Sequence, residues 1–411
     1  MNILLSVNNL GLGGVTSYVV HLATGLSQKN KVIIFDQYPY ASDYESVSGL
    51  PREILIESVW KNKLKDLVNW KINALLCRFQ FNTHYWESTR SRYLKKIIQK
   101  HDIDIIVSFD KFSDKIIAHT IGDSIPLVIS MHGSYDLTDA LLADQNQMKE
   151  MENVLQKARA IIYKSDKNIQ ILKKGIVLDN IQIIKKILHG YHPDKPAFSR
   201  SKMRRKLKIK PDAFVFGMIA RPIAEKGWRE AIAAFLQVRD EIQRDLHFVA
   251  IGGGDYLDEL KKEFSSTDCI HFTGVVFPQN TLKTEEPCVM DWLNILDVGL
   301  LPTYFPTENY SYSVIEYLHC KIPTIASDHG EISVTLDAGG GTRAGILVTH
   351  INGRPDIAGF REAMKLYLLN PVIYDMHRKL TPKALKKFDP EKAVREYEKV
   401  FEQVLQKKHN S

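Results

Sequence analysis

The amino-acid sequence predicts an α/β protein built from two doubly wound parallel sheets. The chain has 411 residues, which is long for a single hydrophobic core and sufficient for two. Short apolar segments alternate with amphipathic helical segments, as in parallel sheets whose strands are joined by crossover helices. The alternation stops near 188–200, where two prolines occur, and then restarts. We therefore predict two domains of similar size, 1–190 and 191–385, that face each other across a cleft. A closing helix within 386–411 is expected to pack back on the N-terminal domain.

Each half contains its own series of strand-like segments. In the first half these are NILLSV, KVIIFD, DIDIIVSF, IPLVISMHG and ARAIIYKS. In the second half they are FVFGMIA, LHFVAIGGG, IHFTGVV, DVGLLPT and IPTIASD. Ligands of open α/β sheets bind beyond the carboxyl ends of the strands, so the residues after these segments are the first candidates for a site. The closing segment has apolar residues at helical spacing: Val394, Tyr397, Val400, Phe401 and Val404.

The composition is that of a folded, mildly basic protein. It is 44% hydrophobic and 25% charged with a net charge of +7, which argues against a disordered chain and is compatible with an anionic ligand or membrane. Four scattered cysteines without a paired spacing predict reduced thiols. No segment approaches the roughly 18 apolar residues of a spanning helix, and the N-terminus lacks the basic start of a signal peptide. We therefore expect a cytoplasmic location, including the inner face of the cytoplasmic membrane. A nucleic-acid partner is not expected, because no recognised binding motif is present.

Two cations follow the first strand of the second half. In GMIARPIAEKGW, Arg221 and Lys226 lie just beyond the strand, and Gly227 leads into a helix. Charged donors beside a helix N-terminus suit a diphosphate, to which arginine offers a planar fork and lysine a point charge. A solvated surface loop is the alternative.

Glycine-rich turns and one histidine also follow predicted strands. Gly13 and Gly14 lie in NLGLGGVTSYVV, whose spacing is not the dinucleotide fingerprint, so the turn indicates either an anion or sugar contact or a plain tight turn. Gly253 lies in AIGGGD, which suits a backbone that lies flat against a ligand. His132 follows IPLVISM. A lone histidine is often structural, but its place at a strand end favours a role in a site.

Two glutamates, Glu308 and Glu316, are eight positions apart in PTENYSYSVIEYLHCKIP. A helix is predicted to start near Ser311 or Ser313, both good N-cap residues. Eight helical residues span about 12 Å, which exceeds the roughly 5–9.5 Å between the paired carboxylates of a glycoside hydrolase. The glutamates therefore suit two ends of one extended ligand, because a carboxylate accepts hydrogen bonds from both hydroxyls of a sugar diol. Acids on a helix surface are the alternative.

In this order, the motifs resemble those of the retaining glycosyltransferases of family 4 (glycosyl transferases group 1), which have the GT-B fold of two Rossmann-like domains. The similarity covers nearly the whole chain: GG before LATGL, HG in the first half, then ARPIAEKG, AIGGG, IHFTGVV, LDVGLLPT, the two glutamates and KIPTIASD. The resemblance implies transfer of a sugar, with retention, from a nucleotide-diphosphate sugar such as a UDP- or GDP-sugar, without a further cofactor. The implied acceptor is a hydroxyl of a glycan or lipid-linked saccharide, in the synthesis of cell-surface polysaccharide or lipopolysaccharide.

The resemblance also implies a role for each candidate residue. Arg221 and Lys226 would bind the diphosphate, and Glu316 would hold the ribose. Glu308 would contact the transferred sugar, and His132 would face the reacting sugar. The donor-binding residues so implied are Gly13, Gly14, Gly253, Asn309, Tyr310, Ser311, Tyr312 and Glu316, with backbone amides supplying the contacts at 309–312.

The sequence departs from the family at several loops. His-Gly-Tyr-His at 189–192 stands where the family has Asn-Gly-Val-Asp, NYSYS follows Glu308 in place of the common Pro-Phe-Gly, and His329-Gly330 replaces a Gly-Gly pair. These loops leave the identity of the sugar open. A sugar-nucleotide epimerase or hydrolase of the same fold, and a sugar-nucleotide-binding protein without catalysis, are the alternative functions.

The sequence contains no strong motif for metal binding or for membrane attachment. Asp102 and Asp104 form a D-x-D, but they open a predicted strand, where polar residues are usual, and we expect no metal site there. Two fixed cations can replace a metal at the leaving group. The segment 61–100 is basic, contains aromatics and has apolar residues at helical spacing, so it predicts either a helix on an anionic membrane or a core-facing helix with a solvated basic face.

Overall fold

The computed structural model describes residues 1–11, 13–47, 49–60, 62–79, 85–122, 124–132, 144–179, 181–191, 195–276, 286–306 and 308–406. The chain divides into two compact units. The first consists of Met1–Tyr191 together with Asp389–Ser411, and the second consists of His192–Phe388.

The first unit is built on a parallel sheet. Among the described residues its seven strands lie in the order β3-β2-β1-β4-β5-β6-β7. They are β1 (Asn2–Val7), β2 (Lys31–Asp36), β3 (Leu55–Ser58), β4 (Ile105–Ser108), β5 (Leu127–Ser130), β6 (Ala160–Tyr163) and β7 (Ile183–Lys186). Ile3 of the central strand β1 lies between Val32 and Ile105 of its neighbours. The strand order reverses at β1, as in doubly wound sheets, so helices cover both faces.

The helices of the first unit connect these strands and close the unit. They are α1 (Gly14–Ser27), α2 (Lys63–Arg78), α3 (Tyr85–His101), α4 (Lys111–Ile121), α5 (Gln145–Leu155), α6 (Asp166–Gly175) and, from the end of the chain, α15 (Pro390–Gln406). Short 3-10 turns occur at Pro39–Ala41 and Tyr44–Val47. Asp110 caps α4 by accepting hydrogen bonds from the backbone N–H groups of Phe112 and Ser113, which satisfies donors that a helix start leaves unpaired.

The second unit has a parallel sheet of its own. Its described strands lie in the order β10-β9-β8-β11-β12-β15, beside two short antiparallel pairs, β13-β14 and β16-β17. The strands are β8 (Phe214–Ile219), β9 (Leu246–Ile251), β10 (Ile270–Phe272), β11 (Val298–Leu301), β12 (Thr324–Ser327), β13 (Asp337–Gly339), β14 (Thr342–Arg343), β15 (Gly345–Val348), β16 (His350–Ile351) and β17 (Arg354–Pro355). This order places the carboxyl ends of β8, β11 and β12 next to one another.

Helices again cover the sheet of the second unit. They are α7 (Arg200–Lys206), α8 (Trp228–Glu241), α9 (Asp255–Glu263), α10 (Val289–Leu293), α11 (Tyr312–His319), α12 (Ile332–Leu336), α13 (Ile357–Leu369) and α14 (Pro371–Leu385), with 3-10 turns at Ala224–Lys226 and Lys386–Phe388. Arg204 is buried and forms an ion pair of 2.9 Å with Asp297, which also accepts the backbone N–H of Val215. The carboxylate thereby joins α7 to the sheet.

The last helix, α15, packs against α1 within the first unit. Tyr397, Val400, Phe401 and Val404 are buried, as the helical spacing of the apolar residues predicts. A Cβ at Gly25 of α1 would lie 2.4 Å from Cγ2 of Val394, so the two helices approach closely only because position 25 has no side chain.

The structure contains strands that the sequence pattern does not indicate, namely β3, β7, β15 and the short strands β13, β14, β16 and β17. Strand β7 is an edge strand and none of its four residues is fully buried, so it carries lysines in place of a continuous apolar run. Cys269, Cys288 and Cys320 are free thiols. No described helix is long and apolar enough to cross a membrane.

Candidate active site

The turn that follows β8 places Lys226 against the end of β11. Gly227 has φ 82°, and a Cβ there would lie 1.9 Å from the carbonyl oxygen of Pro302. Only glycine adopts this conformation at this contact without strain. Nε1 of the buried Trp228 donates to the carbonyl oxygen of Arg221 at 3.0 Å, which fixes the other end of the same turn.

Lys226 and Glu308 form a buried ion pair. The distance from Nζ to Oε2 is 2.6 Å, and the hydroxyl of buried Thr303 donates to the same Oε2 at 2.7 Å. Burial lowers the pKa of Lys226, and the carboxylate of Glu308 opposes this effect. Taking two charges out of water is costly unless they pair, so each of these residues constrains the position of the other.

Arg221 and Lys226 lie against one aromatic ring. The guanidinium carbon of Arg221 is 4.5 Å from the ring centroid of Phe305, and Nζ of Lys226 is 4.9 Å from it. Cations at this distance are attracted by the face of an aromatic ring. Arg221 is exposed whereas Lys226 is buried, so the arginine is the more accessible of the two cations. Sequence reasoning missed both Phe305 and Thr303, because a contact partner in a loop leaves no periodic signal.

Two histidines hold the loop between β11 and α11. Nε2 of His329 donates to the carbonyl oxygen of Phe305 at 2.8 Å, and Nε2 of His350 donates to that of Thr303 at 3.0 Å. A carbonyl oxygen only accepts, so both rings carry hydrogen on Nε2. The ring centroids are 5.0 Å apart. His329 is the residue that replaces a family glycine, and its contact with the Glu308 loop gives that departure a structural role.

Gly330 brings the next loop into contact with the same segment. Its φ is 58°, and a Cβ there would lie 1.9 Å from the carbonyl oxygen of Glu308. Glu308 is therefore fixed from two sides, by Lys226 through its side chain and by Gly330 through its backbone.

Helix α11 starts at Ser311 as its N-cap, as expected, and contains Glu316, which is partly exposed. The fully buried hydroxyl of Tyr317 accepts from the backbone N–H of Ile219 at 2.8 Å and donates to the carbonyl oxygen of Leu300 at 3.2 Å. These bonds tie α11 to the ends of β8 and β11, so the helix with Glu316 is anchored beside the turn with Lys226.

The segment 309–312 leads into α11, and its residues differ in exposure. Tyr310 is buried and its ring centroid lies 5.7 Å from that of Phe388, so the side chain serves packing. Ser311 is buried as well, whereas Asn309 and Tyr312 are partly exposed. At Tyr310 and Ser311 burial of the side chain leaves the backbone as the part suited to a ligand, whereas the side chains of Asn309 and Tyr312 are partly accessible.

The glycine-rich turn after β9 lies against the protein's own backbone. A Cβ at Gly253 would lie 2.4 Å from the backbone nitrogen of Val275, and one at Gly254, with φ 137°, would lie 2.8 Å from Cγ of Pro222. The structure thus supplies an internal reason for these glycines, in addition to the ligand contact that the sequence suggested.

The first unit contains the remaining candidates. Gly13 is the N-cap of α1 and Gly14 is its first residue; among the described residues, no atom would lie within 4 Å of a Cβ at Gly13. His132 follows β5, is buried, and has its ring 4.9 Å from that of Tyr18 in α1 and 5.6 Å from that of His189, centroid to centroid. Burial, with smaller contributions from Lys164 and His189, places the pKa of His132 well below its usual value. His132 is therefore neutral at pH 7.

The structure brings some candidates into direct contact within each unit. Arg221, Lys226 and Glu308 form one cluster around Phe305 in the second unit, and the anchored helix α11 carries Glu316. His132 lies beside the helix that begins at Gly14. His192 of the His-Gly-Tyr-His segment lies outside the described residues.

The D-x-D of the first unit has a structural explanation. Oδ2 of Asp104 accepts the backbone N–H of Asn2 at 2.8 Å, and the side-chain amide of Asn2 donates to the carbonyl oxygen of Asp102 at 2.9 Å. These bonds fix the start of β1 beside β4. In the described part of the chain, no group of three or more His, Cys, Asp or Glu residues has the arrangement of a metal site.

The two sheets and the clustered cations define a class of protein, the sugar transferases with two Rossmann-like domains. Two family models match the chain: Glycosyltransferase Family 4 over residues 12–186, and Glycosyl transferases group 1 over residues 210–368. The chain belongs to these glycosyltransferases, and both expectations, the family and the enzyme class, are confirmed. No curated protein matches the sequence.

Solved structures share the fold at low sequence identity. Sucrose-phosphate synthase from Thermosynechococcus elongatus is 15% identical with a TM-score of 0.72, over 98% of this chain and 99% of that one. HepE (Alr3699) from Anabaena in complex with UDP is 16% identical with a TM-score of 0.70, over 98% and 100%. WaaG, a glycosyltransferase involved in lipopolysaccharide biosynthesis, is 14% identical with a TM-score of 0.63, over 95% and 98%. The predicted GT-B fold is confirmed.

The contact between Gly330 and the Glu308 loop can be tested with a matched glycine. Gly340 has φ 63°, close to that of Gly330, and no described atom lies within 4 Å of the Cβ position. We expect Gly340→Ala to lower the free energy of unfolding by about 1 kcal/mol through the left-handed backbone alone. Gly330→Ala should cost about 2–4 kcal/mol, because the clash adds to the strain. Denaturant unfolding of both variants makes the comparison, and equal losses would show that the close approach does not matter.

Proposed function

We propose that this protein is a retaining glycosyltransferase that moves a sugar from a nucleotide-diphosphate sugar to a hydroxyl of a glycan or lipid-linked saccharide. The observation that carries the proposal is the Lys226–Glu308 ion pair beside Arg221, with both cations against the ring of Phe305. Two similar structures support the ligand class: HepE has been solved with UDP and glucose and with UDP-glucose. The synthesis of a cell-surface polysaccharide or lipopolysaccharide is the proposed setting, for which the likeness to WaaG is the support.

In this proposal the second unit, which the sequence delimits as 191–385, binds the donor, and the first unit binds the acceptor. The diphosphate of the donor is an anion that leaves with the electron pair of the bond to the anomeric carbon. Arg221 and Lys226 stabilise that charge as it develops, which is the role that fixed cations in a preorganised site perform most effectively. The reaction as proposed uses no metal ion and no cofactor besides the donor substrate.

The two glutamates contact opposite ends of the donor. Glu316, on a helix anchored through Tyr317, accepts hydrogen bonds from the hydroxyls of the ribose. Glu308 contacts the transferred sugar, and within the second unit the backbone at 309–312 and at Gly253 lines the donor. A carboxylate near the sugar also opposes the positive charge that develops at its ring as the leaving group departs.

His132 contacts the reacting sugar as a neutral hydrogen-bonding group. A cationic imidazole would repel the positive charge that develops on the sugar ring. Burial excludes that form at pH 7, since it lowers the pKa of His132 well below the usual value.

Turnover of a donor distinguishes the proposed reaction from its alternatives. NMR of a UDP-sugar with the protein in EDTA should show no reaction alone and, with a hydroxyl acceptor present, a new glycosidic linkage of the donor's anomeric configuration. Release of free sugar without acceptor would indicate a hydrolase, and a changed sugar on intact donor would indicate an epimerase. Binding without turnover would indicate a sugar-nucleotide-binding protein. Activity that is lost in EDTA and restored by magnesium or manganese would overturn metal independence.

Replacement of Glu316 should weaken donor binding, whereas replacement of Glu308 should lower the rate of transfer. Glu316→Ala removes the acceptor of two hydroxyls, each bond on the order of 1.5–3 kcal/mol, so UDP should bind at least tenfold more weakly and the donor KM should rise. Glu308→Gln removes a negative charge from Lys226, so UDP should bind as well as before or more tightly, while kcat falls.

Calorimetric titration with UDP, beside steady-state kinetics, measures both effects. Glu225→Gln, in the same turn as Lys226 and partly exposed, is the control and should change neither. If Glu308→Gln weakens UDP binding as much as Glu316→Ala does, the proposed division of roles is wrong.

We further propose that α2 lies on an anionic membrane. Its exposed apolar side chains recur every three or four residues and form a stripe: Leu64, Val68, Ile72, Leu75 and, just after the helix, Phe79. Lys65, Lys71 and Arg78 are exposed on the same helix. An exposed stripe with cations beside it suits a bilayer interface and is not a core-facing surface. Of the predicted segment 61–100, residues 61 and 80–84 lie outside the described part.

Flotation with vesicles tests this surface. The protein should float with phosphatidylglycerol-rich vesicles at low salt and much less with pure phosphatidylcholine or at high salt, because the cations contribute about 1 kcal/mol each near an anionic surface. Replacing Leu64, Leu75 and Phe79 by serine should abolish flotation. Val372→Ser, which alters an exposed apolar residue of the second unit, should leave it unchanged. Equal flotation on neutral and anionic vesicles would contradict the proposal.

A further inference from the structure

The first unit contains a buried group of polar side chains that the proposed reaction does not by itself require. Ser130 ends β5, Lys164 follows β6 and His189 follows β7, so the carboxyl ends of three adjacent strands contribute to it. Helices α1 and α15 add Tyr18 and Tyr397. All five of these side chains are buried, and the group is in contact with His132.

The side chains form a continuous series of hydrogen bonds. Nζ of Lys164 donates to the hydroxyl of Tyr18 at 3.0 Å, to that of Tyr397 at 3.3 Å and to the carbonyl oxygen of Ile187 at 3.0 Å. The two tyrosine hydroxyls are 2.8 Å apart, and the hydroxyl of Tyr397 is 2.6 Å from Oγ of Ser130. Oγ of Ser130 is in turn 3.4 Å from Nε2 of His132.

Lys164 gives this series a direction if its amino group is an ammonium ion, which is part of the proposal below. Lysine as a cation only donates, and each hydroxyl has a single hydrogen to give. Tyr397 accepts from Lys164 and from Tyr18, so its own hydrogen goes to Ser130. Oγ of Ser130 has one other described partner, Nε2 of His132, so the hydrogen of Ser130 is directed to that nitrogen. Nε2 is then an acceptor, and a neutral His132 carries its hydrogen on Nδ1.

We propose that Lys164, as an ammonium ion, is a positioning residue that, through Tyr18, Tyr397 and Ser130, fixes His132 as the tautomer with hydrogen on Nδ1. The importance of His132 to the reaction rests on the proposed function. The tautomer of His132 does not depend on that function. A fixed tautomer presents one donor and one acceptor at constant places, whereas two interconverting tautomers would present each only part of the time.

Burial lowers the pKa of Lys164 well below its usual value, and no described carboxylate contacts Nζ to oppose this effect. The neutral groups around Nζ are what favours the ammonium form. Three oxygen acceptors complete the coordination of an ammonium group, and Nζ also lies 4.5 Å and 5.4 Å from the ring centroids of Tyr18 and Tyr397. Two neighbouring histidines, His132 and His189, have their pKa values lowered by the same burial and by Lys164, so neither of them adds a positive charge at neutral pH.

Nitrogen-15 NMR of histidine-labelled protein measures the tautomer directly, with the His132 signals assigned by His132→Gln. The wild-type protein should show a protonated Nδ1 and an unprotonated Nε2 at neutral pH. Lys164→Met and Tyr397→Phe each interrupt the series, the second with the ring retained, and both should give averaged tautomer shifts. Lys185→Met, which removes a lysine paired with Glu396 of the same helix α15, should leave the His132 signals unchanged.

Kinetics separate this proposal from the proposed function. If His132 acts on the sugar, Lys164→Met and Tyr397→Phe should lower kcat about tenfold, with the donor KM nearly unchanged and with Lys185→Met as the unaffected control. A His132→Gln variant of full activity would refute the role of His132 and leave the tautomer result standing. Hydrogen on Nε2 in the wild type, or an unchanged tautomer in both Lys164→Met and Tyr397→Phe, would overturn the positioning role.

Discussion

The second unit depends on the burial of one ion pair, that of Lys226 and Glu308. Two charges that are removed from water have to stay within contact of each other, since an isolated buried charge is far more costly than a paired one. The pair therefore holds two loops together that follow different strands, β8 and β11. Other features of the region allow this contact: Gly227 and Gly330 let backbones approach, and two imidazoles hold the intervening carbonyl groups. A donor diphosphate would enter an environment in which the positive charge is already fixed, so little reorganisation is needed as negative charge develops.

The first unit stabilises a buried cation in a different way. Lys164 is surrounded by hydroxyls, a carbonyl group and two aromatic rings instead of a carboxylate. As the proposed ammonium group, Lys164 keeps its charge effect on its neighbours, because no carboxylate among the described residues contacts Nζ to cancel it. In the second unit the charge of Lys226 is compensated by the carboxylate of Glu308. The two lysines thus have different electrostatic roles. Both follow a strand of a parallel sheet, so their positions in the sequence do not reveal this difference.

The fold and the family followed from the sequence because they depend on patterns that extend over many residues. Alternating apolar segments indicated both sheets, and the ordered motifs indicated the glycosyltransferase family. Edge strands such as β7 were not predicted, since a strand that is only partly buried does not need a continuous apolar run. The sequence also did not predict which residues contact the candidate site residues. Phe305 and His329 act through contacts with loops, and such contacts depend on tertiary structure.

The same limit explains why a residue type alone did not fix a role. Tyr310 lies in the segment assigned to the donor, yet its ring packs on Phe388. Gly253 has a neighbour in Val275 that would exclude a side chain whatever ligand is bound. In both cases the sequence located the segment, and packing determines which atoms of it remain available.

The position of α15 has a consequence for how the protein is made. Tyr397 and the apolar face of α15 complete the first unit, but they follow the whole second unit in the chain. During synthesis, residues 1–191 emerge first, and nearly two hundred further residues are synthesised before the last helix of the first unit is available. The second unit is continuous and has no such delay, although domains are usually expected to fold in the order of their synthesis. The nascent first unit would meanwhile expose the surface of α1 around Gly25 and leave Lys164 without one of its hydroxyl partners, so this unit can complete its packing only after the second unit has been synthesised.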